Sequence, residues 1–275
     1  MKAKTVEMEK RPVSVYFLGD IHEGAANHDE KALDAAIRII EADKTSIWIG
    51  LGDYIDAINH RDPRFNPFEI SDKYGVRDLA DLPRCQCNSL LAKLAKIKEQ
   101  CIGIISGNHE DANRKYNSFS PTQYIADGLG VENLGQKAWI TLNFGGVKEA
   151  TFPYRLVVMH GAGGGGMREG YSINKAYDCF RWDIADCHVM GHLHQFATSR
   201  STFNTYKYGV FRKDHSWFGV NGCFLHKAKE GTEGYFEQRP GMDSSIGMLR
   251  LDIGINKGSK HKHEIGTHLQ EIYLA

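Results

Sequence analysis

Val13-Ser14-Val15-Tyr16-Phe17-Leu18-Gly19-Asp20-Ile21-His22 is a run of β-branched and aromatic residues that ends, with no polar linker, on a glycine, an aspartate and a histidine. An apolar run of this length reads as a buried strand. Four further stretches repeat the arrangement. Ser46 to Leu51 leads into Gly52-Asp53, and Ile102 to Ile105 leads into Gly107-Asn108-His109-Glu110. Arg155 to Met159 leads into His160-Gly161, and His188 to Met190 leads into Gly191-His192-Leu193-His194. Five strands that deliver polar residues at their C-terminal ends describe an α/β sheet with its site along the carboxyl edge.

Helical spacing separates these strands. Leu33, Ala36, Ile37 and Ile40 place one apolar face on a helix over Asp29 to Ala42. Leu90, Leu91, Leu94 and Ile97 do the same over Cys87 to Gln100. Strand–helix–strand alternation implies right-handed crossovers and a largely parallel sheet. After Gln195 the texture changes to short alternating strands, at Trp217 to Phe224, Ile246 to Ile253 and Thr267 to Tyr273. They read as a second, more antiparallel sheet, with Lys257 to His263 as a hairpin tip. No repeat or linker composition interrupts the chain, so residues 1–275 are expected to form one domain. It carries an insertion at about 54–84 and an antiparallel C-terminal part at about 195–275. The insertion and the glycine-rich 161–171 segment each leave a motif directly, which suits loops that face a substrate.

Composition narrows the class. Lys plus Arg and Asp plus Glu both number 34, so no global field draws the protein to nucleic acid, membranes or acidic partners. A local basic groove for a nucleic acid or nucleotide remains compatible with that balance. The first eleven residues lack the apolar region of a signal peptide, and no apolar run is long enough to span a bilayer. The six cysteines are scattered, as in a cytoplasmic protein with reduced thiols.

The polar residues at the strand ends have the chemistry of metal ligands. Asp20 and His22 lie two apart, as do His192 and His194, so an extended backbone would turn each pair to one face. Asp53 offers a carboxylate able to bridge two cations, Asn108 a neutral carbonyl oxygen and His160 a further imidazole. Nitrogen and oxygen donors without thiolate suit two divalent ions, Mn²⁺ first, with Zn²⁺, Fe or Ni²⁺ also compatible, better than Ca²⁺ or Mg²⁺ alone. Two such ions bring four positive charges, and Asp20 and Asp53 return two. A bridging hydroxide and a phosphodiester anion would neutralise the rest, which matches the site to phosphate. The glycines in these motifs are expected to allow sharp turns and leave room for a substrate.

The ordered series Asp20-x-His22, Gly52-Asp53, Gly107-Asn108-His109-Glu110, His160-Gly161 and Gly191-His192-x-His194 resembles the motif set of the calcineurin-like metallophosphoesterases, over roughly residues 13–200. The resemblance implies a two-sheet α/β sandwich flanked by helices. It also implies that Asp20, His22, Asp53 and His194 hold one metal, and that Asp53, Asn108, His160 and His192 hold the other. His109 corresponds to the family's catalytic histidine, which protonates the leaving group or steadies developing charge. Glu110 either orients His109 or caps a helix. Of the histidines outside the motifs, His226 is the one placed after a strand.

Protein phosphatases of this superfamily extend two motifs with arginines that grip a phosphomonoester dianion. Here Ala57-Ile58 and Ser106 stand in those places, and two cationic donors are lost. Arg114, Lys115 and Arg168 are the neighbouring cations. The expectation is therefore a metal-dependent phosphodiesterase or nuclease that uses a metal-bridging hydroxide. Phosphomonoesterase or protein phosphatase is the alternative, with a catalytically silent binding protein behind it. Aromatics between Tyr54 and Tyr74 and between Tyr171 and Trp182 could stack on bases. Gly161 to Gly166 lacks the Lys-Ser/Thr ending of a phosphate-binding loop.

Overall fold

Strand β2 (Val13–Leu18) is buried on both faces, which a half-solvated sheet would not allow. It lies at the middle of a five-stranded sheet ordered β11-β10-β2-β3-β4, with β3 at Ile47–Gly50, β4 at Cys101–Ile104, β10 at Gly247–Lys257 and β11 at His263–Tyr273. β2, β3 and β4 run parallel, while β10 and β11 add antiparallel. A six-stranded sheet stacks against it in the order β1-β5-β6-β7-β9-β8. Its strands are β1 (Lys2–Met8), β5 (Lys137–Phe144), β6 (Phe152–Met159), β7 (Cys187–Met190), β8 (Ala197–Lys207) and β9 (Val210–Val220). The architecture is a computed structural model that describes residues 1–275 apart from 59–61, 63–64, 146–150, 164–167, 169, 208, 228–242, 258–262 and 275.

Three apolar layers hold the two sheets. Val13, Val15, Phe17, Ile49 and Leu51 meet Ala138, Ile140, Leu156, Val158 and Val189 between the sheets. Tyr16, Leu18 and Trp48, on the opposite face of the first sheet, pack on Leu33, Ile37, Ile40, Leu90 and Leu94. Val157 and Val220 cover the outer face of the second sheet with Ala176 and Phe180 of a helix at Tyr171–Phe180. Each fully buried Leu, Ile or Phe in these layers stabilises by about 1.5–3 kcal/mol.

Local chemistry sets the helices. α1 (Glu30–Ala42) starts where Asp29 Oδ1 accepts from Ala32 N at 2.9 Å, and it buries Leu33, Ala36, Ile37 and Ile40. The Gln100 amide donates to the carbonyls of Ile40 (2.8 Å) and Asp43 (2.9 Å), satisfying the far end. α2 (Leu82–Leu94) starts earlier than the expected Cys87 because Pro83 fits a first turn, and it ends at Leu94 in a 3₁₀ stretch over Ala95–Gln100. α3 (Asn108–Asn117), α4 (Pro121–Leu129) and α5 (Tyr171–Phe180) complete the set. Neither these three helices nor β1 and β5 were expected from apolar spacing. No helix among the described residues is long and apolar enough to cross a membrane.

Two expectations need correction. The five motif strands do not share a sheet, since β2, β3 and β4 belong to one and β6 and β7 to the other. The C-terminal strands do not form a sheet of their own either. β10 pairs with β2 through Leu249↔Phe17 and Leu251↔Val15, whereas β9 pairs with β7. β9 buries Val220, and β10 buries Leu249 and Leu251, by extending an existing sheet. The expected tip at 257–263 is bounded by the Lys257↔His263 pair, and its 258–262 core lies outside the described residues.

Candidate metal centre

The carboxyl edges of both sheets meet where the motifs leave their strands. Backbone bonds join the first two loops: Asp20 N donates to Gly52 O (2.9 Å), and Ile21 N and His22 N to Asp53 O (2.8 and 3.0 Å). Side chains join the sheets. His192 N donates to both oxygens of Asp20 at 3.0 and 2.9 Å, and His160 Nδ1–H donates to Leu51 O at 2.8 Å.

These links bring the candidate ligands together in convergent groups. Asp20, His22 and His194 form one, Asp53, His160 and His192 another, and His22, Asp53 and His109 a third. His194 Nε2 lies 3.3 Å from Asp20 Oδ1 and 3.2 Å from His22 Nε2. His160 Nε2 lies 3.1 Å from Asp53 Oδ2 and 3.1 Å from Asn108 Oδ1. Asp53 Oδ2 is also 3.9 Å from His22 Nε2, so this one carboxylate faces both clusters. A carbonyl can only accept, so Leu51 O fixes the His160 proton on Nδ1, and Gly163 O, 2.6 Å from His192 Nε2, fixes the His192 proton on Nε2. That leaves His160 Nε2 and His192 Nδ1 as the ring nitrogens a cation could take.

The donor set fits cations. The Asp20 and Asp53 carboxylates are buried, and among the described residues their ion-pair partners are histidines. Burial pushes His160 down, yet Asp53, then Asp20 and the Leu51 carbonyl, raise it to about 10. Burial pushes Asp53 up, but His160, His109 and His22 hold it well below the usual carboxylate range. His22 is held well below the ordinary histidine value by burial, then by His109 and His194. A pocket that attracts a proton against burial at a meeting of acceptors has the electrostatics of a metal site.

The backbone is not the extended one that the two-apart spacing suggested. Five of the seven candidate ligands are left-handed: Asp20 (φ 50°), His22 (52°), Asp53 (50°), His192 (72°) and His194 (57°). Asp and His tolerate this region better than most residues, and such strain persists only where surrounding bonds over-determine it. The glycines also serve a different purpose from substrate clearance. A Cβ on Gly107 would stand 2.8 Å from Asp53 Cγ, and one on Gly191 would overlap Asp20 Oδ2. Both glycines let a peptide lie directly against a carboxylate. Gly191→Ala should therefore displace Asp20 and weaken Mn²⁺ binding by about 10–100-fold. Titration calorimetry checks this, and wild-type affinity would show that the carboxylate moves freely.

His109 and Glu110 divide two tasks. His109 N donates to Asp53 Oδ1 at 2.9 Å, and His109 Nδ1–H donates to Asp56 O at 2.5 Å, leaving Nε2 free. The His109 ring stands 4.7 Å from that of His22. Glu110 caps rather than orients His109. Its carboxylate accepts from Gly107 N (2.9 Å), Asp53 N (3.0 Å), Tyr54 N (2.7 Å) and Ile55 N (3.3 Å). Burial, then the Asp53 charge, raises it to about 7.

The insertion contributes less than its aromatics suggested. Tyr54 is fully buried with its hydroxyl on Ile105 O, so it is core rather than a base platform. Phe68 and Trp182 are exposed. The 54–84 segment packs along Gly24 and Ala25, with Ala26 N on Glu69 O and Ser71 N on Gly24 O. Arg114 pairs with Asp111, and His226 pairs with Asp29 at the α1 N-terminus. Sequence reasoning missed the carbonyls of Leu51, Asp56 and Gly163, which carry no residue-type signal.

Solved structures that resemble this chain include Vps29 complexed with zinc from Entamoeba histolytica, 9% identical with a TM-score of 0.38, covering 94% of this chain and 98% of that one. An NAD nucleotidase from Haemophilus influenzae is 10% identical with a TM-score of 0.43, covering 96% and 50%. GAP50 of the Plasmodium inner membrane complex is 8% identical with a TM-score of 0.45, covering 97% and 90%. None of these likenesses bears on what this chain does. No protein of curated function matches the sequence. The family model for calcineurin-like phosphoesterases matches residues 13–196, which include every motif described above. The chain belongs to the calcineurin-like phosphoesterase family.

Proposed function

We propose that this protein is a dinuclear-metal phosphoesterase whose preferred substrate is a phosphodiester. The observation that carries the reading is Asp53, a buried carboxylate that faces His160 on one side and His22 on the other. In this reading Asp20, His22, Asp53 and His194 hold one cation, and Asp53, Asn108, His160 and His192 hold the second. Mn²⁺ is the first expectation, with Zn²⁺, Fe or Ni²⁺ as alternatives. Bound there, two divalent cations would supply positive charge for a phosphoryl group and acidify water towards a nucleophile near neutral pH.

The chain's own residues do the rest. The carbonyls of Leu51 and Gly163 keep imidazole lone pairs directed at the clusters. His109, held at Nδ1 by Asp56 O, has only Nε2 left to carry a proton to a leaving oxygen. Ala57 and Ser106 leave those two motif positions without the guanidinium pair that would favour a dianionic monoester. A nucleic acid or nucleotide diester fits this charge balance, and the six free cysteines agree with a cytoplasmic setting. We also propose that residues 1–275 act as one domain, with the 54–84 insertion at the rim of the site.

The test is a matrix of metals and substrates. Bis-p-nitrophenyl phosphate, p-nitrophenyl phosphate, cyclic nucleotides and single- and double-stranded DNA are set against Mn²⁺, Ni²⁺, Zn²⁺ and Mg²⁺. Faster turnover of diester than monoester is expected, and the reverse order would favour a phosphatase. Absence of turnover in every cell would favour a binding protein. His109→Ala should lower diester turnover by about 10²–10⁴-fold while metal content stays at the wild-type level. Unchanged turnover would remove His109 from the chemistry.

A further inference from the structure

Seven residues other than glycine have a left-handed backbone among the described residues, and two of them are not candidate ligands. Ser118 (φ 56°) ends α3, where such a turn is ordinary. Ala57 (φ 58°) ends no helix, and it is buried. A side chain with a Cβ disfavours this region, and strain of this kind persists only where neighbours over-determine it. The neighbours that hold Ala57 are two buried amides, Gln86 in the second turn of α2 and Asn113 in the second turn of α3.

The two amides grip Ala57 at both of its backbone polar groups. Gln86 Oε1 accepts from Ala57 N at 3.0 Å, and Asn113 Nδ2 donates to Ala57 O at 3.2 Å. Gly24 (φ +101°), two residues after His22, makes room for the first, since a Cβ there would overlap Gln86 Nε2. The grip reaches His109 through a single peptide plane. Ala57 N and Asp56 O belong to the same peptide, and His109 Nδ1–H donates to that oxygen at 2.5 Å. Because the unit is planar, holding its N–H fixes the direction of its C=O. Asp56 N on Glu23 O at 3.0 Å secures the residue on the other side. Gln86 Nε2 and Asn113 Oδ1 are themselves buried with no hydrogen-bond partner among the described residues. An apolar side chain of equal size would avoid that desolvation cost, so fold stability alone does not account for the two amides.

We propose that Gln86 and Asn113 are positioning residues, which hold the Asp56–Ala57 peptide so that its carbonyl keeps the His109 ring oriented with Nε2 free for the leaving oxygen. The inference rests on the phosphoesterase reading above and deepens it. Each amide acts through the peptide rather than on the substrate. Without either bond Ala57 relaxes towards a right-handed or extended backbone, and the Asp56 carbonyl turns away from His109. The imidazole then samples orientations from which a proton cannot reach the leaving oxygen.

The test compares wild type with Gln86→Met and Asn113→Leu, which keep the side-chain size but lose the bond to Ala57. Proton NMR of the Zn²⁺-loaded proteins follows the His109 Nδ1–H resonance, assigned by its loss in His109→Ala. In parallel, kcat and KM are measured with bis-p-nitrophenyl phosphate and Mn²⁺. Each variant should shift or weaken the resonance and lower kcat about tenfold, with KM and bound metal within about twofold of wild type. Adding Ala57→Gly to Gln86→Met should recover most of kcat, because glycine adopts the left-handed turn without a clamp. A resonance or a kcat equal to wild type in either single variant overturns the role of that residue. A kcat loss that tracks lost metal, or that Ala57→Gly leaves in place, overturns the proposal as well. If wild type cleaves no ester, the phosphoesterase reading fails, and the resonance still decides whether the amides position His109.

Discussion

Asp53→Asn should abolish diester hydrolysis, by at least about 10³-fold, and lower the metal content of the protein from two ions to at most one. The carboxylate takes part in two of the three convergent groups, with Oδ2 3.1 Å from His160 and 3.9 Å from His22. Asparagine keeps the shape and can still accept from His109 N, which Asp53 Oδ1 holds at 2.9 Å. The fold should therefore survive, and the circular dichroism spectrum should match wild type. What disappears is one of two negative charges among the candidate ligands, and with it the ability to offset two divalent ions. Metal analysis after Mn²⁺ dialysis, beside turnover of bis-p-nitrophenyl phosphate, checks both parts. A variant that retains two ions and full turnover would refute a bridging role for Asp53.

Glu110→Ala should act on stability before it acts on chemistry. Glu110 is 1% exposed, and four backbone N–H groups from Asp53, Tyr54, Ile55 and Gly107 point at its carboxylate. Truncation strands these donors where water has poor access, at about 1–3 kcal/mol for each one left unsatisfied. Allowing for relaxation, the loss should be about 4 kcal/mol, or about 8–16 °C in Tm for a chain of this size. Metal affinity should fall as well, because the same bonds hold the peptide on which Asp53 sits. Glu110→Gln keeps one acceptor oxygen but turns an amide N–H₂ towards the donors, so it should recover only part of the loss. Differential scanning calorimetry measures both variants, and a shift below about 2 °C for alanine would mean that the donors find other partners.

Much of the fold was readable along the chain because its strongest signals are local. β2, β3 and β4 are uniform apolar runs that end on a motif, and α1 has an unbroken apolar face over a capping aspartate. α3 escaped notice because its residues are polar and it buries only Glu110 and Asn113. β5 alternates intermediate and buried positions in a stretch where no motif marks its end. The pairing of β10 with β2 is a contact across more than 230 residues, visible in bonds such as Ser14 Oγ to Asp252 Oδ1 at 2.9 Å, and no short-range pattern encodes it.

The candidate centre divides along the same line. The types, order and strand-end positions of Asp20, His22, Asp53, Asn108, His109, His160, His192 and His194 are properties of the primary structure, and with the glycines beside them they identify the family. The meeting of these donors is a property of the folded chain. It depends on left-handed turns that spacing cannot reveal, on carbonyls of Leu51, Asp56 and Gly163 that choose which imidazole nitrogen is free, and on two sheets brought edge to edge. His192 N reaches the Asp20 carboxylate across 172 residues, and Ser172 ties α5 to Gln195, the residue after His194. Local sequence can choose the donors, but hydrogen bonds and packing between distant segments set the distances between them.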